Sequence, residues 1–83
     1  MSEPNGDVRM LIEQIAKALV DAPDQVVVNQ VEEDGDTVLE LEVAEEDMGK
    51  VIGRHGRTAK ALRMLLSAAG LTQHKHYELE ILE

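Results

Sequence analysis

The chain has 83 residues, with 17 acidic against 8 basic side chains, a net charge of −9, no cysteine and one tyrosine as its only aromatic residue. That length allows one small domain, burying only about 60% of the surface its unfolded chain exposes, and the lack of cysteine excludes disulfide frameworks and thiolate metal sites. The polar, acidic N-terminus lacks the basic and apolar segments of a secretory leader, and no run reaches the ~18 apolar residues that cross a bilayer, so a soluble, cytoplasmic protein with no membrane partner is expected.

Residues 1–6 read as a flexible head before a single domain over 7–83. Val8, Leu11, Ile12, Ile15 and Leu19 then recur at helical spacing, with Asp7 as cap and Pro23 as stop, which predicts a first helix with those five residues facing the core. Next, QVVVNQVEEDGDTVLELEV predicts a β-hairpin, because Asp34-Gly35 suits the two positive φ angles of a type I′ turn. Such a turn sets Val28 opposite Leu41 and Val26 opposite Val43 on a buried face with Leu39, and turns Val27, Asn29, Glu40 and Glu42 to the other face. Glu45, Glu46 and Asp47 then offer carboxylates to the amide end of a short second helix carrying Met48, Val51 and Ile52 inward. A glycine loop leads into a third helix over Arg57–Ala69, with Gly70 at its left-handed closing position. HYELEIL alternates Tyr77, Leu79 and Ile81 against Glu78 and Glu80, the pattern of a last strand. The order is αββααβ, an α+β fold in which three helices pack on one face of a three-stranded sheet.

Charge is unevenly distributed along this order. Residues 49–63 hold Lys50, Arg54, Arg57, Lys60 and Arg63 with no acid, a local +5 that leaves −14 on the rest of the chain. Charges more than about 10 Å away are largely screened at 0.1 M salt, so this patch acts locally and predicts an anionic partner at one edge.

At the centre of the patch stands VIGRHGRTAKAL. A bare GxxG arises about 0.4 times by chance in a chain of this length, so its context decides. Here Gly53 and Gly56 join two helices through a tight turn, where glycine supplies unusual backbone angles and lets another backbone approach. The amides of the loop and of the next helix's first turn are expected to point outward unpaired, which suits phosphate.

The motif resembles the signature of the KH domain, a hydrophobic pair followed by GxxG and a helix, and the αββααβ order is similar to its type II, bacterial form. From about Val8 to Glu83 the pattern resembles the small bacterial single-KH family called KhpA. The resemblance implies a type II KH fold that binds single-stranded RNA, forms a homodimer, pairs with a larger KH protein of the KhpB or Jag type, and serves as a chaperone or regulator of RNA in post-transcriptional control. Carried over by position, Gly53, Arg54, His55 and Gly56 would clamp the backbone of about four unpaired nucleotides. Lys50, Arg57 and Lys60 would flank the track, and Val51 and Ile52 would be among the groove's apolar residues.

Other residues point to simpler roles. Arg63 reads as a solvated charge outside the site. His74 and His76 are spaced to meet a metal on one face, yet no third ligand is evident, so no metal or cofactor is expected. Ser67 has no sequence context of a nucleophile with its base, and no catalytic residue or enzyme function is expected. With Tyr77 as the only aromatic residue, modules that stack bases on several rings are poorly supported. On a helical wheel the third helix carries two apolar stripes. Ala59, Leu62, Leu66 and Ala69 suit the sheet, while Ala61, Met64, Leu65 and Ala68 remain for another subunit. The alternative function is an interaction module that pairs with the larger KH protein, with RNA binding secondary.

Overall fold

The computed structural model describes residues 4–83. Helix α1 (Pro4–Leu19) is followed by strands β1 (Val27–Glu33) and β2 (Asp36–Glu42), helices α2 (Met48–Ile52) and α3 (Arg57–Gln73), and strand β3 (Tyr77–Ile81), so the αββααβ order is present. The sheet order is β1-β2-β3, with β1 antiparallel and β3 parallel to the central β2. The two helices between β2 and β3 provide the crossover that a parallel pair needs.

The hairpin follows from its turn. Asp34 and Gly35 adopt φ values of 51° and 85°, and Val28 stands opposite Leu41. Val28, Leu39 and Leu41 are buried beneath the helices, whereas Val27, Asn29 and Glu42 are exposed on the outer face.

The ends and facing of the helices differ from the simple periodic reading. α1 begins at Pro4, so Asp7 lies inside the first turn; the Asp7 side chain and residues 1–3 of the expected head are outside the described residues. Val8, Ile12, Ala16 and the following Val20 are buried, while Leu11 and Leu19 are exposed. Positions four apart drift only about 40° around a helix, and Leu11 stands about 100° from Ile12. A single stripe meets the sheet, and Leu11 and Leu19 fall outside it. α3 runs a turn beyond Ala69, and its left-handed closing residue is His74 (φ 56°), not Gly70. Gly70 is buried inside the helix, where a β-carbon would overlap the Lys75 carbonyl oxygen. The returning chain passes too close for a side chain, and its Lys75 N–H donates to the Gly70 carbonyl at 2.9 Å.

Asp47 also has a role other than capping. Its carboxylate makes no cap bond to α2. Although only 2% exposed, it accepts the Ala22 N–H at 3.0 Å and lies 3.6 Å from Lys50 Nζ. Burial by itself would raise the Asp47 pKa, but the Ala22 and Asp21 N–H groups and the Lys50 charge hold it below the usual aspartate value. This tie fastens the start of α2 to the α1–β1 connection and so fixes where the glycine turn emerges. A group depressed in the folded state contributes stability above its unfolded pKa and loses it as pH falls through the folded value. Asp47→Ala is therefore expected to lower the melting temperature by roughly 5–10 °C at pH 7, with the gap to wild type narrowing as pH falls below the ordinary aspartate range and the carboxylate protonates. A gap independent of pH in melts across that range would show that the charge contributes nothing.

Candidate nucleic-acid interface

The glycine turn lies between α2 and α3. Gly53 has φ 80° and ψ 168°, a region essentially closed to other residues; a β-carbon there would clash with Thr58 Oγ1 and stand 2.8 Å from its backbone nitrogen. Gly56, at φ 73°, has nothing within 4 Å of the place its β-carbon would occupy. One glycine lets the turn fold against α3, and the other leaves its outer surface bare. His55 between them is left-handed at φ 57°, a conformation that histidine tolerates better than most residues.

The amides are only partly available. Gly53 N–H donates to Gly49 O at 2.8 Å, Gly56 N–H to Gly53 O at 3.0 Å, and Arg57 N–H to Arg54 O. The closing bond of α2 takes the Gly53 donor and the 3₁₀ turn over Arg54–Gly56 takes those of Gly56 and Arg57, so the expected row of outward unpaired amides is reduced. What the turn presents outward is chiefly charge and a close-approach surface.

Ion pairing divides the cations into two groups. Glu13 takes Arg9 and Lys17 at 3.0 and 2.9 Å. Lys50 lies 3.3 Å from Asp21 and 3.6 Å from Asp47, and its bond with Asp21 raises its pKa. Lys50 is thus neutralised on the flank of α2 and is not aligned with the turn. Arg54, Arg57 and Lys60, all exposed, have no carboxylate partner among the described residues. Uncompensated positive charge therefore gathers at the turn and the first turns of α3.

Beside this rim runs an open groove of about 580 Å³. Met48, Ile52, Gly56 and Ala59 line it from the helical segments, together with residues of the three strands, Leu79 and Ile81 among them. Of the pair Val51 and Ile52, Val51 is buried in the core, whereas Ile52 is exposed and faces the groove. The inward position expected for Ile52 is corrected accordingly: on a helix of five residues only one edge can face the core. Arg63, read from the sequence as a solvated charge, lines the groove and donates through Nη2 to Leu79 O at 3.2 Å. Only its spacing of three residues from Lys60 on one helix could have signalled this place. Tyr77 is buried, its hydroxyl bonded to Gln73, so it offers no ring to the groove.

Two further features bear on function. Ala61, Met64, Leu65 and Ala68 are all exposed, Met64 to 64% and Leu65 to 46%, so the second stripe of α3 is uncovered in this chain. The neighbouring stripe, with Leu62 and Leu66, is buried as expected. Ligand atoms of His76, Asp36 and Glu78 come within 4.8 Å of one another beside the start of β3, a grouping that does not include His74. No helix among the described residues is long and apolar enough to cross a membrane.

The family described as "KhpA/KhpB, KH domain" matches residues 9–81. The chain is 49% identical over 75 residues to the "RNA-binding protein KhpA" of Clostridium acetobutylicum, an alignment covering 90% of this chain and all of the relative. It is 52% identical over 73 residues to the protein of the same name from Treponema pallidum, covering 88% and 91% of the two chains. Against that of Caldanaerobacter subterraneus it is 51% identical over 72 residues, covering 87% and 96%. No solved structure gives a significant match. The αββααβ architecture, the glycine turn between its paired helices and a family match over most of its length place the chain in the KhpA/KhpB family of KH domains.

Proposed function

We propose that this protein binds single-stranded RNA by seating the sugar-phosphate backbone on the Gly53–Gly56 turn. The observation that carries the reading is the set of unneutralised cations Arg54, Arg57 and Lys60 around a bare glycine surface at the mouth of a groove. His55 adds a donor at the turn, and Ile52 an apolar contact for a base. Relatives named RNA-binding proteins support the same partner. Lys50 is held in internal ion pairs with Asp21 and Asp47 and is left out of the track. No chemistry is assigned to the site, and a cytoplasmic role in post-transcriptional control accompanies the reading.

About three phosphate contacts give an expected slope of roughly −2 in log K against log salt for a single strand, or about 16-fold weaker binding between 50 and 200 mM salt. Fluorescence titration of an unstructured RNA octamer measures this. Absence of binding at the lower salt concentration would overturn the reading.

The uncovered stripe of α3 favours a second element, self-association through Ala61, Met64, Leu65 and Ala68, with Leu71, 81% exposed, at its end. An identical subunit meets this stripe across a two-fold axis. A larger KH protein of the KhpB or Jag type is the competing partner, and the joint family description supports that alternative. Sedimentation should show the wild type at twice its 9.2 kDa mass and Leu65→Asp as a monomer that retains RNA binding. A wild type that sediments as a monomer at tens of micromolar would remove the homodimer.

A further inference from the structure

Where β3 begins, three side chains of different kinds converge on the outer face of the sheet. Asp36 opens β2, His76 immediately precedes β3, and Glu78 is the second residue of β3. Thr37 and Tyr77 are buried register partners, and the Thr37 N–H donates to the His76 carbonyl at 2.9 Å. Because side chains alternate along a strand, the residues on either side of these buried partners turn outward together. Asp36, His76 and Glu78 therefore share one face, and their ligand atoms all lie within 4.8 Å of one another. His76 Nε2 stands 3.7 Å from Glu78 Oε2. No lysine or arginine among the described residues pairs with Asp36 or Glu78. A protonated His76 would offset only one of the two carboxylates, and an exposed ion pair contributes little by itself.

We infer that Asp36, His76 and Glu78 form a site for one zinc ion, which ties the first residue of β2 to the start of β3. Zinc takes nitrogen and oxygen ligands at about 2.0–2.2 Å in a tetrahedral arrangement, so neighbouring ligand atoms stand about 3.4 Å apart. The separation of 3.7 Å between His76 and Glu78 is already close to that edge, and a modest rotation of the half-exposed Asp36 side chain closes the remainder. Water fills the fourth position. The mixed donor set selects the ion, because an imidazole with two carboxylates suits zinc, whereas magnesium and calcium seek shells of about six or more oxygens. A doubly charged cation also cancels the two carboxylate charges that crowd each other here. His74 takes no part: it closes α3 in the left-handed conformation, before the strand alternation begins. The third ligand, which the spacing of the histidines could not supply, is Asp36, brought beside His76 by the parallel pairing of β2 with β3.

Titration calorimetry of the full chain, without an added histidine tag, against zinc chloride provides the test. One ion per chain is expected, with a dissociation constant in the micromolar range. At free zinc about ten times that constant the melting temperature should rise by about 5–10 °C, because only the folded chain holds the three ligands together. Magnesium at the same concentration should leave it unchanged. His76→Ala and Asp36→Asn should each weaken zinc binding at least about tenfold, whereas His74→Ala should bind as wild type does. Melting curves recorded without zinc verify the fold of each variant. Absence of saturable heat up to about 1 mM zinc, or an equal rise of the melting temperature with magnesium, overturns the assignment. Undiminished binding by His76→Ala and Asp36→Asn, or an equal loss in His74→Ala, overturns it as well.

Discussion

Arg54→Asp together with His55→Asp is expected to weaken RNA binding about 100-fold and to leave the melting curve unchanged. Both side chains are exposed and neither has a hydrogen bond or ion pair among the described residues, so their replacement removes no internal contact. Position 55 is left-handed at φ 57°, and aspartate is one of the few residues that accept that region readily. The backbone of the turn can therefore persist. Two charge-assisted contacts to phosphate, each worth about 1.5 kcal/mol, amount to about 3 kcal/mol, or roughly two decades in affinity. Repulsion from two new carboxylates acts in the same direction. Titration with the unstructured octamer at about 50 mM salt, where screening is weakest, gives the clearest reading. If the double variant binds as tightly as wild type, the turn is not the seat of the backbone, however well the groove is formed.

Gly70→Ala should be among the most destabilising single changes in the chain, even though it replaces glycine with the best helix former. Helix propensity favours the change by about 1 kcal/mol. Against this, the added β-carbon overlaps the Lys75 carbonyl oxygen, a backbone atom that cannot rotate away, and lies 3.6 Å from the Tyr77 ring. Relief requires the chain after His74 to move outward, which breaks the Lys75 and His74 N–H bonds to the Gly70 carbonyl. It also disturbs the entry of β3 into its parallel register, where Tyr77 stands opposite Thr37. Overpacking of this kind costs typically 1–3 kcal/mol and two lost hydrogen bonds about 1 kcal/mol each, so a net loss of about 3 kcal/mol is expected. For a domain of this size that corresponds to a fall of roughly 12–24 °C in melting temperature. A melting temperature equal to or above that of wild type would show that the α3–β3 connection is not packed in this way.

The two predictions separate the functions of glycine in this protein. At Gly56 the missing side chain leaves the outer surface of the turn bare, and at Gly70 it admits the protein's own backbone. Local sequence suggested a turn glycine and a helix-closing glycine, and only the folded chain shows that nothing approaches Gly56 whereas the Lys75 carbonyl crowds Gly70.

Much of the architecture was legible from short-range pattern. Asp34-Gly35 determined the hairpin register, because a two-residue turn leaves no freedom in which residues face each other. The doubled apolar stripe of α3 was readable from spacing alone, and the structure buries one stripe and exposes the other. The glycine turn could likewise be located between two helices, since glycine pairs and helix formers act over a few residues.

What depended on the third dimension was every choice among equivalent local options. Periodicity left α1 several apolar residues, and only packing against the sheet selected Val8, Ile12 and Ala16 over Leu11 and Leu19. Asp47 could cap α2 or reach Ala22, and the nearby α1–β1 connection decided for Ala22. Lys50 and Arg63 sit elsewhere than local sequence suggested, one held by Asp21 and the other brought to the edge of β3, because salt bridges and grooves join residues distant in the chain. Local sequence set which conformations were available, and long-range contacts selected among them, since the free energy that separates such alternatives comes from atoms many positions away.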